Sequence, residues 1–139
     1  DGSVRQQVLA LLRKVQLETG LSILFITHDL AVVRAISHRV LVMYMGRMVE
    51  FAENAALFSA PRHPYTRALI DAVPVPDPVA PSKKAPLMGE VPSVLQPPPG
   101  CVFHPRCEYV EDVCRISLPT AQDVKGVRVV CHRAQELDL

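Results

Sequence analysis

Val4, Val8, Leu11, Leu12 and Val15 recur at helical spacing with polar residues between them. This pattern predicts an amphipathic helix over residues 4–17. At Ile23-Leu24-Phe25-Ile26 the periodicity gives way to a continuous apolar run, which reads as a strand over residues 21–27, covered on both faces as in a parallel sheet. Asp29 is placed to cap a second helical stretch carrying Leu30, Val33 and Ile36. Val40 to Met45 is another apolar strand. Gly46 breaks it, and Arg47 to Glu53 predicts the returning arm of a short antiparallel hairpin. Residues 55–60 read as a short helix stopped by Pro61. Pro64 opens the next helix, where its missing N–H is not needed, and Tyr65, Ala68, Leu69 and Ala72 form its expected buried face. The order helix, strand, helix, strand, hairpin is α/β. A doubly covered strand expects neighbours on both sides. This chain supplies them poorly, so its first half reads as the end of a larger sheet.

Composition divides the chain further. Nine of its 13 prolines fall between Pro74 and Pro99, and all four cysteines fall between Cys101 and Cys131. Three segments are therefore expected: residues 1–73 as the closing part of an α/β core, residues 74–99 as an extended proline-rich arm, and residues 100–139 as an irregular cysteine-bearing module. With 15 basic and 14 acidic side chains the formal net charge is +1, which argues against electrostatic binding of nucleic acid. Asp1 to Arg5 lacks the basic-then-apolar order of a secretory leader, and no apolar run approaches the ~18 residues that span a bilayer. The expected compartment is the cytosol, where clustered thiols point to a metal or cluster before disulfides.

Two features carry candidate chemistry. His28 follows directly on the 21–27 segment, at the end of a strand where open α/β sheets bind their ligands. An imidazole there can donate to a phosphate oxygen or orient a water. From position alone, the plainer reading, a histidine that only caps the next helix, comes first. The second feature is the set Cys101, Cys107, Cys114 and Cys131, spaced C-x5-C-x6-C-x16-C. This is not the short pairing of zinc ribbons, and four thiolates suit a four-iron cluster, one per iron. Zinc, completed by His104 or His132, and no metal at all are the alternatives.

Several stretches carry a resemblance. Residues Ser22 to Leu30, ending Thr27-His28-Asp29-Leu30, and residues Val40 to Glu50 resemble the switch-histidine region of ATP-binding-cassette (ABC) ATPases. His63-Pro64-Tyr65-Thr66-Arg67-Ala68-Leu69, Gly89-Glu90-Val91-Pro92-Ser93 and Gly100-Cys101-Val102-Phe103-His104-Pro105-Arg106-Cys107 narrow it to the ATPase subunits of oligopeptide, dipeptide and nickel importers. The resemblance implies that His28 contacts the nucleotide γ-phosphate and helps position the attacking water. It implies that Asp1 is the D-loop aspartate, which communicates across an ATPase dimer; Gly2 departs from the aliphatic residue usual beside it. It also implies ATP and Mg²⁺ as ligands of the intact subunit and a four-iron four-sulfur cluster on the cysteines. The implied partners are a second ATPase subunit, membrane permease subunits and an external binding protein, at the cytoplasmic face of the membrane.

The Gly-rich phosphate loop, Gln loop, signature motif and acidic strand of that family are absent from these 139 residues. Phosphoryl transfer depends on a phosphate cradle and Mg²⁺, so the chain by itself is expected neither to bind ATP tightly nor to hydrolyse it. Its uncovered apolar strand is expected to drive self-association. The alternative function is a stand-alone metal-binding, iron–sulfur or interaction module with no ATPase role.

Overall fold

The computed structural model describes residues 2–73 and 89–139. The expected role of Asp1 and most of the expected proline arm, residues 74–88, lie outside the described residues. The chain forms two compact units, divided between Ser37 and His38.

The first unit holds α1 (Gly2–Thr19) and α2 (Leu30–Ile36). Asp29 caps α2 as its sequence position foretells, accepting the N–H groups of Ala31 and Val32 on its side chain. Lys14 and Glu18 form an i,i+4 pair at 3.8 Å on α1, the order that suits the helix dipole less well. The expected strand over 21–27 is not formed. A strand exists through its ladder, and among the described residues none pairs with this stretch. Leu24 and Ile26 are each 89% exposed, so the apolar run that signals a covered strand has no cover in this unit.

The second unit contains a four-stranded sheet in the order β1-β2-β4-β3. Its strands are β1 (Arg39–Tyr44), β2 (Arg47–Glu53), β3 (Ala121–Val124) and β4 (Val127–Val130). Helices α3 (Asn54–Ser59) and α4 (Pro64–Asp71) follow β2, and α5 (Asp112–Ile116) precedes β3. The mixture of helices and strands fits the α/β expectation, but every strand pair in this sheet is antiparallel. Both hairpins turn through two residues of positive φ, Met45-Gly46 and Lys125-Gly126. That is the two-residue turn whose twist matches antiparallel strands. The second hairpin lies in the segment expected to be irregular. Its strands are only four residues long, too short for a clear period, yet Val124, Val127 and Val129 point inward.

Side chains from β1 (Val40, Val42, Tyr44), β2 (Val49, Ala52) and β4 (Val127, Val129) are buried together with Leu57 of α3 and Phe103, Ala134 and Leu137 from the C-terminal segment. The buried face of α4 is Pro64 and Thr66, not the Ala68, Leu69 and Ala72 of the periodic reading. The helix docks by its N-terminal turn. Residues 89–99 form neither helix nor strand; Ser93 closes a turn by accepting the Gln96 N–H on its carbonyl.

Val129 is completely buried on a strand with a neighbour on each side. Val129→Ala removes two methyl groups and leaves a cavity, and should lower unfolding free energy by about 2 kcal/mol. Urea denaturation followed by circular dichroism measures it; an unchanged midpoint would place the core elsewhere.

Candidate functional site: the four-cysteine cavity and the His28 turn

The cavity begins with an irregularity in β2. The pairing of β1 and β2 slips between Val42 and Met43, leaving Val49 without a partner opposite it. A bulge re-aims the side chains around it. Here Val49 and Glu50, although consecutive, are both buried, at 3% and 0% exposure. Glu50 Oε1 accepts the backbone N–H of Arg62 at 2.8 Å, and Oε2 accepts that of His63 at 2.9 Å. Burial is the largest influence on Glu50 and raises its pKa. The Thr66 hydroxyl, the two N–H groups and the Arg62 guanidinium pull in the other direction. The Thr66 hydroxyl is near enough to favour the carboxylate but stands in hydrogen-bonding geometry with no group. Arg62 itself reaches the C-terminal segment, at the Leu137 carbonyl (3.4 Å) and the Asp138 carboxylate (3.9 Å).

With its backbone so held, His63 caps α4: its Nδ1 accepts the Tyr65 N–H at 3.0 Å, and Pro64 occupies the first helical position. Its ring is 1% exposed and packs on Phe103, with centroids 5.7 Å apart. Tyr44, Tyr65 and Phe103 close an aromatic triangle with centroids 4.7–5.3 Å apart. Phe103 stands two residues from Cys101, so the helix motif and the cysteine motif are packed against each other through this ring.

Cys101, Cys107, Cys114 and Cys131 all line one cavity of about 10 Å³, together with His63, Phe103 and Leu137. That is the lower limit for a single water. The Cys101 N–H donates to the Cys114 carbonyl at 2.8 Å, which holds the turn His104–Arg106 beside α5. Gly100 makes this approach possible. A Cβ there would lie 2.4 Å from the Cys114 carbonyl oxygen, and the residue has φ +68°. His104 Nδ1 bonds to the Cys101 carbonyl at 2.9 Å, and His132 Nε2 to the Ser117 carbonyl at 2.9 Å. Each histidine thus braces a loop with one ring nitrogen.

All four cysteines are free thiols. Burial pushes Cys107 up to about 12 and Cys131 up to about 11, and raises Cys101. Each of the six thiol pairs is close enough for its charged forms to repel. Shifted upward, Cys101, Cys107 and Cys131 stay neutral and weakly reactive near neutral pH; a bound metal would remove thiol protons outright. Four sulfurs around one cavity match a thiolate-held cluster in number and kind, but the cavity as it stands, about 10 Å³, is far smaller than such a cluster. A single ion fits less well, since among the described residues no three His, Cys, Asp or Glu side chains stand close enough to hold one.

His28 belongs to the first unit. It lies between Thr27 and Asp29, exposed to solvent, immediately before α2. The cap of that helix is Asp29 and not His28, so the plainer reading of His28 has no support in the hydrogen bonds of the turn. The sequence reading missed Glu50, Arg62 and Thr66. The one available signal was an acid among the apolar interior positions of a strand, between Met48-Val49 and Phe51-Ala52.

The resemblance read from the sequence, to the ATP-binding subunits of peptide importers, is borne out by comparison with known proteins. Residues 49–114 match the family described as "Oligopeptide/dipeptide transporter, C-terminal region". The match spans Glu50, α4 and three of the four cysteines; Cys131 falls beyond it. The chain is 53% identical over 133 residues to a Sinorhizobium fredii protein named "Probable peptide ABC transporter ATP-binding protein y4tS", covering 95% of this chain and 38% of that protein. It is 47% identical over 125 residues to a peptide import ATP-binding protein of Brucella ovis (90% of this chain, 39% of the relative). It is 45% identical over 135 residues to an oligopeptide transport ATP-binding protein of Bacillus subtilis (95% and 41%). The chain therefore spans about two fifths of the length of these relatives.

His63 carries a pH dependence. Burial lowers its pKa from 6.5 to about 4. Between those values the unfolded chain takes up a proton that the folded chain refuses, so stability falls as pH drops from 6.5 towards 4. Glu50 is shifted upward from 4.5, so its effect has the opposite sign: it costs stability as pH rises above 4.5. Asn caps helices well. In His63→Asn the loss of stability from pH 6.5 to about 4 should be smaller than in the parent, measured as the urea midpoint across that range. Equal slopes would show that His63 does not titrate on unfolding.

Proposed function

We propose that the chain is the C-terminal portion of the ATP-binding subunit of an ABC importer for peptides, in which ATP hydrolysis drives uptake. The observation that carries this reading is the match of residues 49–114 to the oligopeptide/dipeptide transporter C-terminal region. Identity to peptide-import ATP-binding proteins over 95% of the chain extends it. In the intact subunit His28 is the switch histidine, its imidazole donating to the γ-phosphate and orienting the attacking water, with ATP and Mg²⁺ held by residues outside this chain. Asp1 is the D-loop aspartate. The partners are a second ATPase subunit, membrane permease subunits and an external binding protein, and the subunit sits on the cytoplasmic face of the membrane. Among the described residues no helix is long and apolar enough to cross a membrane. Nickel importers share the motifs, so the cargo class is peptide or nickel. Residues 1–73 complete the ATPase core, residues 74–99 are the arm, and residues 100–139 are the cysteine module. Taken by itself, the chain self-associates through its uncovered apolar segment, residues 21–27.

His28→Ala in the intact subunit should abolish ATP hydrolysis, by ~10²-fold or more, while leaving ATP binding in place. Phosphate release and nucleotide titration measure the two separately. Hydrolysis at the parent rate would remove His28 from the mechanism.

Cys101, Cys107, Cys114 and Cys131 would hold a four-iron four-sulfur cluster, which when bound supplies a cross-link between the turn at 104–106, α5 and the end of β4. Purified without air, the protein should contain iron and acid-labile sulfide in about equal amounts, about four of each, with visible absorption. Each Cys→Ser variant should lose both. Zinc alone, or no metal with intact thiols, would overturn the assignment.

A further inference from the structure

The turn that carries His28 is held from both sides. Thr27 Oγ1 accepts the Asp29 N–H at 3.0 Å. Asp29 Oδ1 accepts the N–H groups of Ala31 and Val32 at 3.0 and 3.2 Å, and the Asp29 carbonyl accepts the Val33 N–H at 3.1 Å. One carboxylate oxygen thus does all the side-chain capping. The other, Oδ2, receives Nη1 of Arg5, from the first turns of α1. The carboxylate is the more sheltered partner, 28% exposed against 63% for the Arg5 side chain.

We propose that Arg5 is a positioning residue for His28, acting through Asp29. This rests on the reading of His28 as the histidine that meets the γ-phosphate, and adds to it a residue that touches no nucleotide. The cap fixes Asp29 to α2 alone. The guanidinium fixes the same carboxylate to α1, so the turn bearing His28 is located by two helices. A guanidinium stays charged at every working pH and offers a fork of donors. An exposed ion pair contributes little to stability, so its loss leaves the fold standing. Placement of a catalytic group is a different matter, because a displacement of ~1 Å can cost up to ~10²-fold in rate.

The test uses the intact ATP-binding subunit of which this chain is the proposed C-terminal portion. The variants are Arg5→Ala, Arg5→Lys, Asp29→Asn and the double Arg5→Ala/Asp29→Asn, with His28→Ala as reference. Asn keeps the cap of α2 and removes the charge. Arg5→Ala and Asp29→Asn should each lower kcat about fivefold, with KM for MgATP and the nucleotide Kd changed less than about twofold. Arg5→Lys should recover most of the rate. The double variant should be no slower than either single one, because both break one pair. Where Arg5→Ala does not fold, Arg5→Gln keeps the aliphatic stem and gives the same readout. If His28→Ala abolishes hydrolysis while Arg5→Ala and Asp29→Asn turn over at the parent rate, the positioning role is wrong. It is equally wrong if their effects multiply in the double variant, or if kcat falls only together with nucleotide affinity and melting temperature. Parent-rate hydrolysis by His28→Ala would bring down the reading of His28, and this role with it.

Discussion

A buried carboxylate is costly unless every lone pair it turns inward finds a donor. Glu50 receives one backbone N–H on each oxygen, from Arg62 and His63, with the Thr66 hydroxyl and the Arg62 guanidinium also favouring its charge. Side-chain partners could rotate away; backbone donors cannot do so without moving the loop. The carboxylate therefore locates residues 60–63 against the centre of the sheet, and α4 starts from a fixed point. His63, Pro64 and Tyr65 then fall into place in order: cap, first helical residue, aromatic partner of Tyr44 and Phe103. Because His63 and Phe103 both line the cysteine cavity, the position of the four thiols depends on a hydrogen bond made on β2.

From the other side the cavity is closed by backbone rather than by side-chain packing. The Cys101 N–H to Cys114 carbonyl bond draws two cysteine-bearing segments together, and only a residue without a Cβ fits at position 100. Cys131 enters from the end of β4, a strand that pairs with β2. The thiols thus arrive from three stretches separated in sequence, which accounts for the wide C-x5-C-x6-C-x16-C spacing. A zinc ribbon needs short spacings because one turn must deliver two ligands to one ion. Here the sheet and the Gly100 contact do the gathering, and burial shifts Cys101, Cys107 and Cys131 toward the neutral thiol.

Elements whose partners are close in sequence were legible. The hairpin of β1 and β2, the cap at Asp29 and Pro64 at the first turn of α4 all follow from signals within about ten residues. The hairpin of β3 and β4 was not legible, because four-residue strands carry too little alternation to separate from a loop. Its turn, Lys125-Gly126, is also a weaker cue than Asn-Gly. Glu50 was unreadable for a different reason. Strand alternation assigns consecutive residues to opposite faces, and the bulge at Val49 breaks that rule at the one position where it matters. For the candidate site, the cysteines and the histidine motif could each be found in the sequence, but not their packing through Phe103, since nothing local links position 63 to position 103.

The two units also differ in how far their sequence signals are satisfied within these residues. In the second, the inward positions of β1, β2 and β4 are covered and the thiols converge. In the first, Val4, Val8 and Leu11 form the stripe that predicts an amphipathic helix, yet they are 50–60% exposed. Leu24 and Ile26 sit in a covered-strand pattern and are bare. Both patterns specify burial, and burial of several large side chains is worth ~1.5–3 kcal/mol each. An apolar stripe and an apolar run in one unit call for a layer on the helix and neighbours beside the strand, the two-sided cover of an α/β core. In the proposed ATPase subunit both would come from the part of its length that these 139 residues do not represent. The same chemistry is asked of His28. The exposed imidazole follows an apolar run that forms no strand here; the proposed contact with phosphate would need that run held in a sheet whose neighbouring loops bring the phosphate to it.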